Sequence, residues 1–457
     1  MPGRTGVTSN AAAGKFRIGA AYDAKAAAGY LNGQVADVQT WTGSVIPPAQ
    51  PYTPGSYHQA VTPTRLLDTR SSSDLAYTSG VTAGTSTVHG GSVVPLQISG
   101  DTVTPSTTGP KTIPSSVTAV AIDVTAANQT ADGYVTAYAD GTQRPFTSST
   151  TYTANDTVTG YQIVPVGNDG RIDLYTAGAA ANTSALIVDL TGYFTSDPNQ
   201  PSDQTYTPLT TATRALDTRA STAGTTGLTA TGTVPANTTF TLQITGNSGV
   251  PADATAVAAN LTTAAQTGAG YLEAYATGSA PATLTSLTYS TADAISSMAA
   301  DIPLSSTGNI SIFNHGSAAA VIVDISGYYT TSTTGQTYHA VSPTRLVDTR
   351  NGTGTTSAAA VPVMGTYTTS QADTQQITTT TQPTLVTMFT VTDDSDAGNL
   401  IAYGAGTQPT TSNLNWNAAQ TVANLALTPT SADGQITVYN HSAATIDLVI
   451  DCSGYFD

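Results

Sequence analysis

The chain has 457 residues, of which only 9% are charged, and its net charge is −16. An acidic surface repels phosphate backbones, which argues against nucleic-acid binding, and no apolar run of about 18 residues is available for a transmembrane helix. The 41 glycines and 24 prolines, together with abundant threonine, favour many short strands over helices.

The first 50 residues precede the repeated part of the chain. The sequence Phe-Arg-Ile-Gly-Ala at residues 16–20, followed by the segment 29–41 that ends in Trp41, resembles the closing strands of a laminin-G/concanavalin-like domain. The resemblance implies that residues 1–50 are a terminal fragment of such a domain and that the chain is the C-terminal part of something longer. It carries over no sugar or calcium site.

Three copies of one module follow. They open with Thr-Arg-Leu-Leu-Asp-Thr-Arg at 64–70, Thr-Arg-Ala-Leu-Asp-Thr-Arg at 213–219 and Thr-Arg-Leu-Val-Asp-Thr-Arg at 344–350, each after a tyrosine (Tyr57, Tyr206, Tyr338). They close with related segments at 186–194, 321–329 and 448–456, whose aspartates lie 135 and 127 residues apart. This period is longer than that of a solenoid or propeller blade, which predicts that each copy encloses its own core.

The interior of each copy repeats as well. A strand pattern at 133–138 recurs at 270–275 and 398–403, and a turn followed by a strand at 168–175 recurs at 307–313 and 432–439. Asp-Gly and Gly-Asn between alternating apolar runs indicate tight hairpins. The sequence therefore predicts an all-β protein of three tandem antiparallel β-sandwich domains, at 51–197, 204–331 and 336–457.

The opening and closing motifs together resemble an uncharacterised tandem module of secreted and cell-surface proteins of actinobacteria. The resemblance covers all three copies, and it implies an extracellular location but no activity.

The arginines indicate a specific task, because six of the ten in the chain lie in the three openings. The structural interpretation is an ion-pair clasp between the opening and closing strands; the alternative is a site for an anionic glycan in each copy. The clasp would comprise Arg65, Asp68, Arg70 and Asp189; Arg214, Asp217, Arg219 and Asp324; and Arg345, Asp348, Arg350 and Asp451.

Tyrosine is abundant, with 22 residues against 7 phenylalanines. Tyrosines four apart on a strand share one face, where they either fill the rim of the core or form a binding platform. The candidate platform residues are Tyr134, Tyr138, Tyr271, Tyr275 and Tyr403.

No pattern of a catalytic triad, a zinc site or a paired-carboxylate enzyme is found, so no catalytic residue, metal site or cofactor is expected. The leading hypothesis is a non-catalytic extracellular or cell-surface adhesion array, with cell-surface or cell-wall glycan as the candidate partner and a homo-oligomer as a further option. The alternatives are a virion component, such as a tail-fibre or capsid-surface subunit, and the accessory C-terminal region of a secreted hydrolase.

Overall fold

The computed structural model describes residues 21–23, 26–28, 55–70, 87–103, 111–197, 203–279, 284–290, 295–355, 358–369, 382–392, 394–404 and 406–457. The chain divides into two compact units, Met1–Tyr52 and Thr53–Asp457. In the first unit the described backbone forms one antiparallel hairpin of β1 (Ala21–Asp23) and β2 (Ala26–Ala28). The laminin-G-like interpretation of residues 1–50 otherwise lies outside the described residues.

The second unit is built from strands throughout its described length. Copy 1 contains β3 (Tyr57–Asp68), β4 (Val88–His89), β5 (Val93–Gln97), β6 (Thr102–Val103), β7 (Lys111–Thr112), β8 (Val117–Ala127), β9 (Gly133–Ala139), β10 (Thr150–Tyr152), β11 (Val158–Pro165), β12 (Arg171–Thr176) and β13 (Thr183–Thr195).

Copy 2 contains β14 (Thr205–Asp217), β15 (Thr225–Thr226), β16 (Thr238–Gln243), β17 (Ala256–Ala264), β18 (Gly270–Ala276), β19 (Leu287–Tyr289), β20 (Ser296–Pro303), β21 (Asn309–Gly316) and β22 (Ala320–Thr330). Copy 3 contains β23 (Tyr338–Asp348), β24 (Thr366–Thr368), β25 (Thr384–Thr392), β26 (Gly398–Tyr403), β27 (Leu414–Trp416), β28 (Val422–Pro429), β29 (Thr437–Ser442) and β30 (Asp447–Phe456). Within the described ranges, no helix has the length and hydropathy needed to cross a membrane.

Each copy supplies two antiparallel sheets. The axial sheets, named for their place around the centre of the unit, hold the opening and closing strands in the orders β11-β8-β13-β3, β14-β22-β17-β20 and β23-β30-β25-β28. The outer sheets have the orders β10-β9-β12-β5, β15-β16-β21-β18-β19 and β24-β29-β26-β27. The short strands β6 and β7 pair separately, and β4 pairs with β13.

The six sheets are arranged as a six-bladed β-propeller of small sheets, two per copy. The prediction of three tandem β-sandwich domains is therefore wrong, and so is the argument that the repeat is too long for blades, because one repeat spans two of them. One hydrophobic core contains side chains from all three copies, including Ala121, Ile163, Val257, Val386 and Leu427. The boundaries drawn between the copies remain a prediction.

The axial strands explain this shared core, because they are buried on both faces. On β8, Val120 and Ile122 pack into the core of their own copy, whereas Ala119 and Ala121 pack into the shared core. The nine residues of β25 are all buried. A strand with two apolar faces must be covered on both sides, which joins the copies.

Backbone hydrogen bonds between the opening strands close the three copies into a ring. His58 exchanges a pair of bonds with Gln204, Tyr206 does so with Gln336, and Tyr338 does so with Ser56, at N···O distances of 2.7–3.1 Å. Each copy is thus paired with the next, and copy 3 returns to copy 1. The register also shows that His58, not Tyr57, is the counterpart of Tyr206 and Tyr338, since each lies opposite the closing aromatic residue of its copy.

Candidate functional site

The structure brings the predicted clasp residues of copy 1 together. Arg65 binds Asp189 with two bonds, Nε to Oδ1 at 2.8 Å and Nη2 to Oδ2 at 3.1 Å. Its third nitrogen, Nη1, lies 3.2 Å from Oδ2 of Asp68. Asp68 in turn accepts from Nε of Arg70 at 2.9 Å and from its Nη2 at 2.7 Å. The four side chains form one chain of alternating charge.

The other two copies repeat this geometry. Arg214 and Asp324 are joined at 2.8 Å and 3.1 Å, and Arg345 and Asp451 at 2.9 Å and 3.1 Å. The second pairs, Arg219 with Asp217 and Arg350 with Asp348, have shortest distances of 2.7 Å and 2.8 Å. Two bonds per guanidinium fix both the distance and the orientation of the carboxylate.

The two aspartates of a clasp have opposite electrostatic environments. Hydrogen bonds from Arg219 hold the pKa of Asp217 below its usual value, and Arg350 does the same for the pKa of Asp348. Burial raises the pKa of Asp324 and Asp451, and their arginines offset only part of that rise. In each clasp the aspartate of the opening strand therefore has a lower pKa than the aspartate of the closing strand.

Two of the clasps also contact the neighbouring copy. Asp189 accepts a hydrogen bond from the backbone N–H of Thr285 in copy 2, and Asp324 accepts one from the backbone N–H of Ser412 in copy 3. Each clasp thus links an opening strand to a closing strand by salt bridges, and two of the three clasps also accept a hydrogen bond from the neighbouring copy. Its structural role, as opposed to a role in ligand binding, remains a prediction.

The candidate tyrosines lie on the outer sheets but differ in exposure. Tyr134 on β9 is 39% exposed, whereas Tyr138 is only 5% exposed. Burial raises the pKa of Tyr138 to about 12, and neighbouring Asp173 adds to the rise. In copy 2, Tyr271 is partly exposed and Tyr275 is buried, and in copy 3 Tyr403 is partly exposed. Only the partly exposed members can contact a partner.

Further ring side chains that the sequence analysis did not select lie beside these tyrosines. Tyr175 packs 6.5 Å from Tyr134 between ring centroids and lies under the guanidinium of Arg144 at 3.7 Å. His315 stacks on Tyr271 with centroids 4.6 Å apart and an interplanar angle of 14°. The sequence could have indicated the first of these rings. The repeated segments at 168–175, 307–313 and 432–439 each end in an aromatic residue, and these residues occupy equivalent positions: Tyr175, Phe313 and Tyr439.

The centre of the shared core is an aromatic cluster built by all three copies. The opening strands supply His58, Tyr206 and Tyr338, and the closing strands supply Phe194, Tyr329 and Phe456, each at most 1% exposed. The ring centroids lie 4.5 Å apart for Phe194 and Tyr338, 4.8 Å for Phe456 and Tyr206, and 4.1 Å for Tyr329 and His58. Every pair joins a closing strand of one copy to the opening strand of another.

A buried carboxylate lies beside this aromatic cluster. Oδ2 of Asp301 accepts hydrogen bonds from the hydroxyls of Tyr161 at 2.7 Å and Tyr329 at 2.9 Å, and Nε2 of His58 is 3.9 Å away. Burial raises the pKa of Asp301 to about 6, although both tyrosine hydroxyls oppose the rise. Burial lowers the pKa of His58 to about 4, against the hydrogen bond with Gln204. Near neutral pH the carboxylate is ionised and the imidazole is neutral.

The described residues contain no cluster of three or more His, Cys, Asp or Glu side chains that could hold a metal ion. Cys452 is buried, and burial raises the pKa of its thiol to about 12. A thiol with that pKa is a poor nucleophile near neutral pH.

No protein-family model matches the chain, and no curated protein matches it. Among solved structures, it is similar to a chain of Sulfolobus Turreted Icosahedral Virus, with 12% identity over 88% of this chain and 98% of the other and a TM-score of 0.18. An archaeal virus structure described by its triple jelly roll fold and turret assembly gives 10% identity over 88% and 98%, with a TM-score of 0.17.

A third structure is the tandem CBM22-1-CBM22-2 domain of Paenibacillus barcinonensis Xyn10C, with 12% identity over 60% of this chain and 100% of the other and a TM-score of 0.17. The TM-scores are too low to transfer a residue, a ligand or a partner.

Proposed function

We propose that this chain is a non-catalytic attachment protein of an extracellular or cell surface, which binds cell-surface or cell-wall glycan through three outer sheets. The observation that carries the proposal is that each outer sheet has a cross-strand row of ring side chains. The rows, called aromatic rows below, are Tyr134 with Tyr175; Tyr271 with Phe313 and His315; and Tyr403 with Tyr439 and His441.

The chemistry of the aromatic rows suits sugars. A tyrosine ring offers an apolar face to the C–H side of a sugar, and its hydroxyl provides a polar edge. The rows also carry hydrogen-bonding groups, since His315 and His441 are exposed and Arg144 lies over the ring of Tyr175. The rings pack against one another within the rows, so less side-chain freedom is lost on binding.

Repetition on a closed ring adds avidity. The three rows belong to one unit whose copies are joined by six backbone hydrogen bonds, so their spacing is fixed. Once one row is bound, the other two meet the same polymer at a high effective concentration. Weak individual sites can then give firm attachment.

The test is the binding of the purified chain to insoluble bacterial cell walls and to a glycan array. Tyr134→Ala, Tyr271→Ala and Tyr403→Ala are compared singly and together. Each single change is expected to weaken binding by about 2- to 10-fold, the usual contribution of one aromatic contact, and the triple variant is expected to lose it. Tyr57→Ala, which removes a partly buried tyrosine of an axial sheet, is the control. Equal binding by the triple variant and the wild type would refute the proposal.

A second candidate is a structural component of a virus particle. The ring closure favours it, because one chain here has the cyclic arrangement that usually requires three subunits and could occupy a three-fold position in a larger assembly. Light scattering and electron microscopy of the purified chain decide this: ordered assemblies support it, and a monomer at all concentrations argues against it. The third candidate, the accessory region of a hydrolase, rests on residues 1–50, most of which lie outside those described.

A further inference from the structure

Arg144, in the loop between β9 and β10, differs from the other arginines that the structure describes. Each of the other seven forms an ion pair with an aspartate: six do so in the clasps, and Arg171 does so with Asp169. Arg144 instead lies over the ring of Tyr175, with its guanidinium carbon 3.7 Å from the ring centroid. Its side chain forms no ion pair or hydrogen bond with any described residue. A guanidinium that stacks on a ring keeps its N–H groups available to a carboxylate.

The loop that carries Arg144 is held against the outer sheet on both sides of this residue. Before it, Oγ1 of Thr142 donates to the carbonyl of Ala139 at 2.6 Å. After it, the carbonyl of Thr147 accepts a hydrogen bond from Oγ1 of Thr136 on β9 at 2.7 Å. The position of the guanidinium over the sheet is therefore set by the fold and does not depend on a ligand.

Arg144 and the nearby Phe146 are peculiar to copy 1. The last residue of the loop has the same place in every copy, because its side chain accepts a hydrogen bond from a backbone N–H of the facing strand. These anchors are Ser149, Ser286 and Asn413. Five residues before the anchor, copies 2 and 3 have Pro281 and Gln408 in place of Arg144, and three residues before it they have threonine in place of Phe146. Phe146 is 82% exposed, so copy 1 has a cation and an exposed ring where its sister copies have neither.

The ring under Arg144 belongs to an exposed face of the outer sheet. Val93 on β5 lies directly opposite Tyr175, and Tyr134 on β9 lies on the other side of Tyr175, with their ring centroids 6.5 Å apart. Val93 and Tyr134 are 40% and 39% exposed, and Arg144 is partly exposed. A sugar ring stacked on Tyr134 would therefore have the guanidinium beside its edge.

The surroundings of Arg144 limit the charge that a ligand can carry. Asp140 and Asp173 lie on the same face, since both act together with Arg144 on the hydroxyl of Tyr138. Burial raises the pKa of Asp173, and the charge of Asp140 adds to the rise. Because the chain also has a net charge of −16, a densely charged polyanion would be repelled. One carboxylate, in contrast, matches the single guanidinium.

We propose that the outer sheet of copy 1 binds an acidic sugar, a uronic acid, with the sugar ring on Tyr134 and its carboxylate on Arg144. The proposal rests on the function proposed above, because it concerns one of the three aromatic rows, and it adds the class of sugar that this row selects. The rows of copies 2 and 3 have no arginine and bind neutral sugars. The whole chain then suits a glycan in which acidic residues are spaced by neutral ones.

The experiment uses the full chain and matched pairs of disaccharides, in which glucuronic or galacturonic acid is joined to a neutral sugar and compared with its own methyl ester. The ester has the same rings but no charge. By saturation-transfer NMR titration, the wild type is expected to bind at least one acid about 3- to 10-fold more tightly than its ester, between the contributions of an exposed ion pair and of a charged hydrogen bond. Arg144→Gln should remove this preference, and added salt should reduce it in the wild type.

Arg171→Gln is the matched control, since Arg171 lies on the same outer sheet, has a side chain that is 47% exposed and bonds to Gln97. It should keep the preference for the acid. Failure of the wild type to bind any acid, equal binding of acid and ester, or an equal loss in both arginine variants would overturn the proposal. The triple tyrosine variant tests the function proposed above separately. If that variant still attaches to cell walls while Arg144 determines the preference for the acid, only the proposed function fails.

Discussion

At the level of single residues, the arginines show how few charges this chain uses and where it uses them. Each copy holds two arginines in a bidentate arrangement with two aspartates, and the inner aspartates Asp189, Asp324 and Asp451 are at most 4% exposed. A buried carboxylate is destabilising unless it is paired. The charge alternation within each clasp satisfies that requirement.

Asp217→Asn tests the clasp. The asparagine cannot accept two charge-assisted bonds from Arg219, and it leaves Arg214 with one carboxylate partner fewer. Because the Arg219 side chain is 47% exposed, the loss should be about 1–3 kcal/mol, less than for a fully buried pair. Urea unfolding measures it, and Asp253→Asn, in an exposed turn, is the control. Unchanged stability together with lost glycan binding would show that the clasp is a ligand site instead.

Asp301→Asn tests the buried carboxylate through its pH dependence. The folded-state pKa of about 6 lies above the usual value of 3.8 for an aspartate, so the folded state holds the proton more tightly than the unfolded state between these values. The wild type therefore loses stability as pH rises from about 4 to 6. Asparagine does not titrate, so the variant should gain about 2–3 kcal/mol relative to the wild type between pH 4 and pH 7.

The unfolding free energy of both proteins, measured across this pH range, checks the expectation. His58, whose pKa is lowered to about 4, contributes the opposite slope, since its neutral form is favoured in the folded state. Because Nε2 of His58 lies 3.9 Å from Oδ2 of Asp301, the two titrations are coupled, and the difference between the proteins reports on the pair. A difference that does not change with pH would contradict the assignment of a raised pKa to Asp301.

At the level of strands, the sequence was sufficient for local features. The turns predicted at Asp169-Gly170, Gly308-Asn309 and Asp433-Gly434 hold glycines at φ of +81°, +74° and +72°, a region that favours glycine. The prediction that they close hairpins is wrong, because the strands before and after each turn belong to different sheets. The predicted opening segment lies on β3, β14 and β23, and the closing segment lies on β13, β22 and β30. These features depend only on neighbouring residues, which is why the pattern was informative.

The second apolar face of the axial strands could not be assigned in the same way. A continuous apolar run is compatible with a strand buried in one domain and with a strand buried between copies. On β25, Met388 packs into the shared core and Phe389 into the core of copy 3. Composition does not distinguish these two surroundings, so the interpretation of independent sandwiches was wrong at this point.

Met388→Ala and Phe389→Ala test the two faces of β25. Both side chains are buried, so both changes should destabilise the protein, by about 2–5 kcal/mol for methionine and about 3–5 kcal/mol for phenylalanine. Denaturant unfolding gives the two values. If copy 3 stood alone, the methionine would face water and its replacement would change stability by less than about 0.5 kcal/mol.

At the level of the whole molecule, the three copies form a closed ring in which each copy is bonded to both of the others. The backbone bridges and the aromatic pairs each pass around all three copies. Removing one copy would expose apolar faces on both of its neighbours, which carries a large free-energy penalty. The copies should therefore unfold together, in contrast to tandem domains, which unfold separately.

Trp416 makes this cooperativity measurable. It is fully buried in copy 3, and in a Trp41→Phe background it is the sole tryptophan, because the chain has two. Ile122→Ala, in the core of copy 1, removes buried atoms far from copy 3 in sequence and should cost about 2–5 kcal/mol. In a closed ring, the unfolding midpoint reported by Trp416 fluorescence falls as far as the midpoint reported by circular dichroism. In a row of independent units it would stay at the wild-type value, because Trp416 would sense only the stability of copy 3.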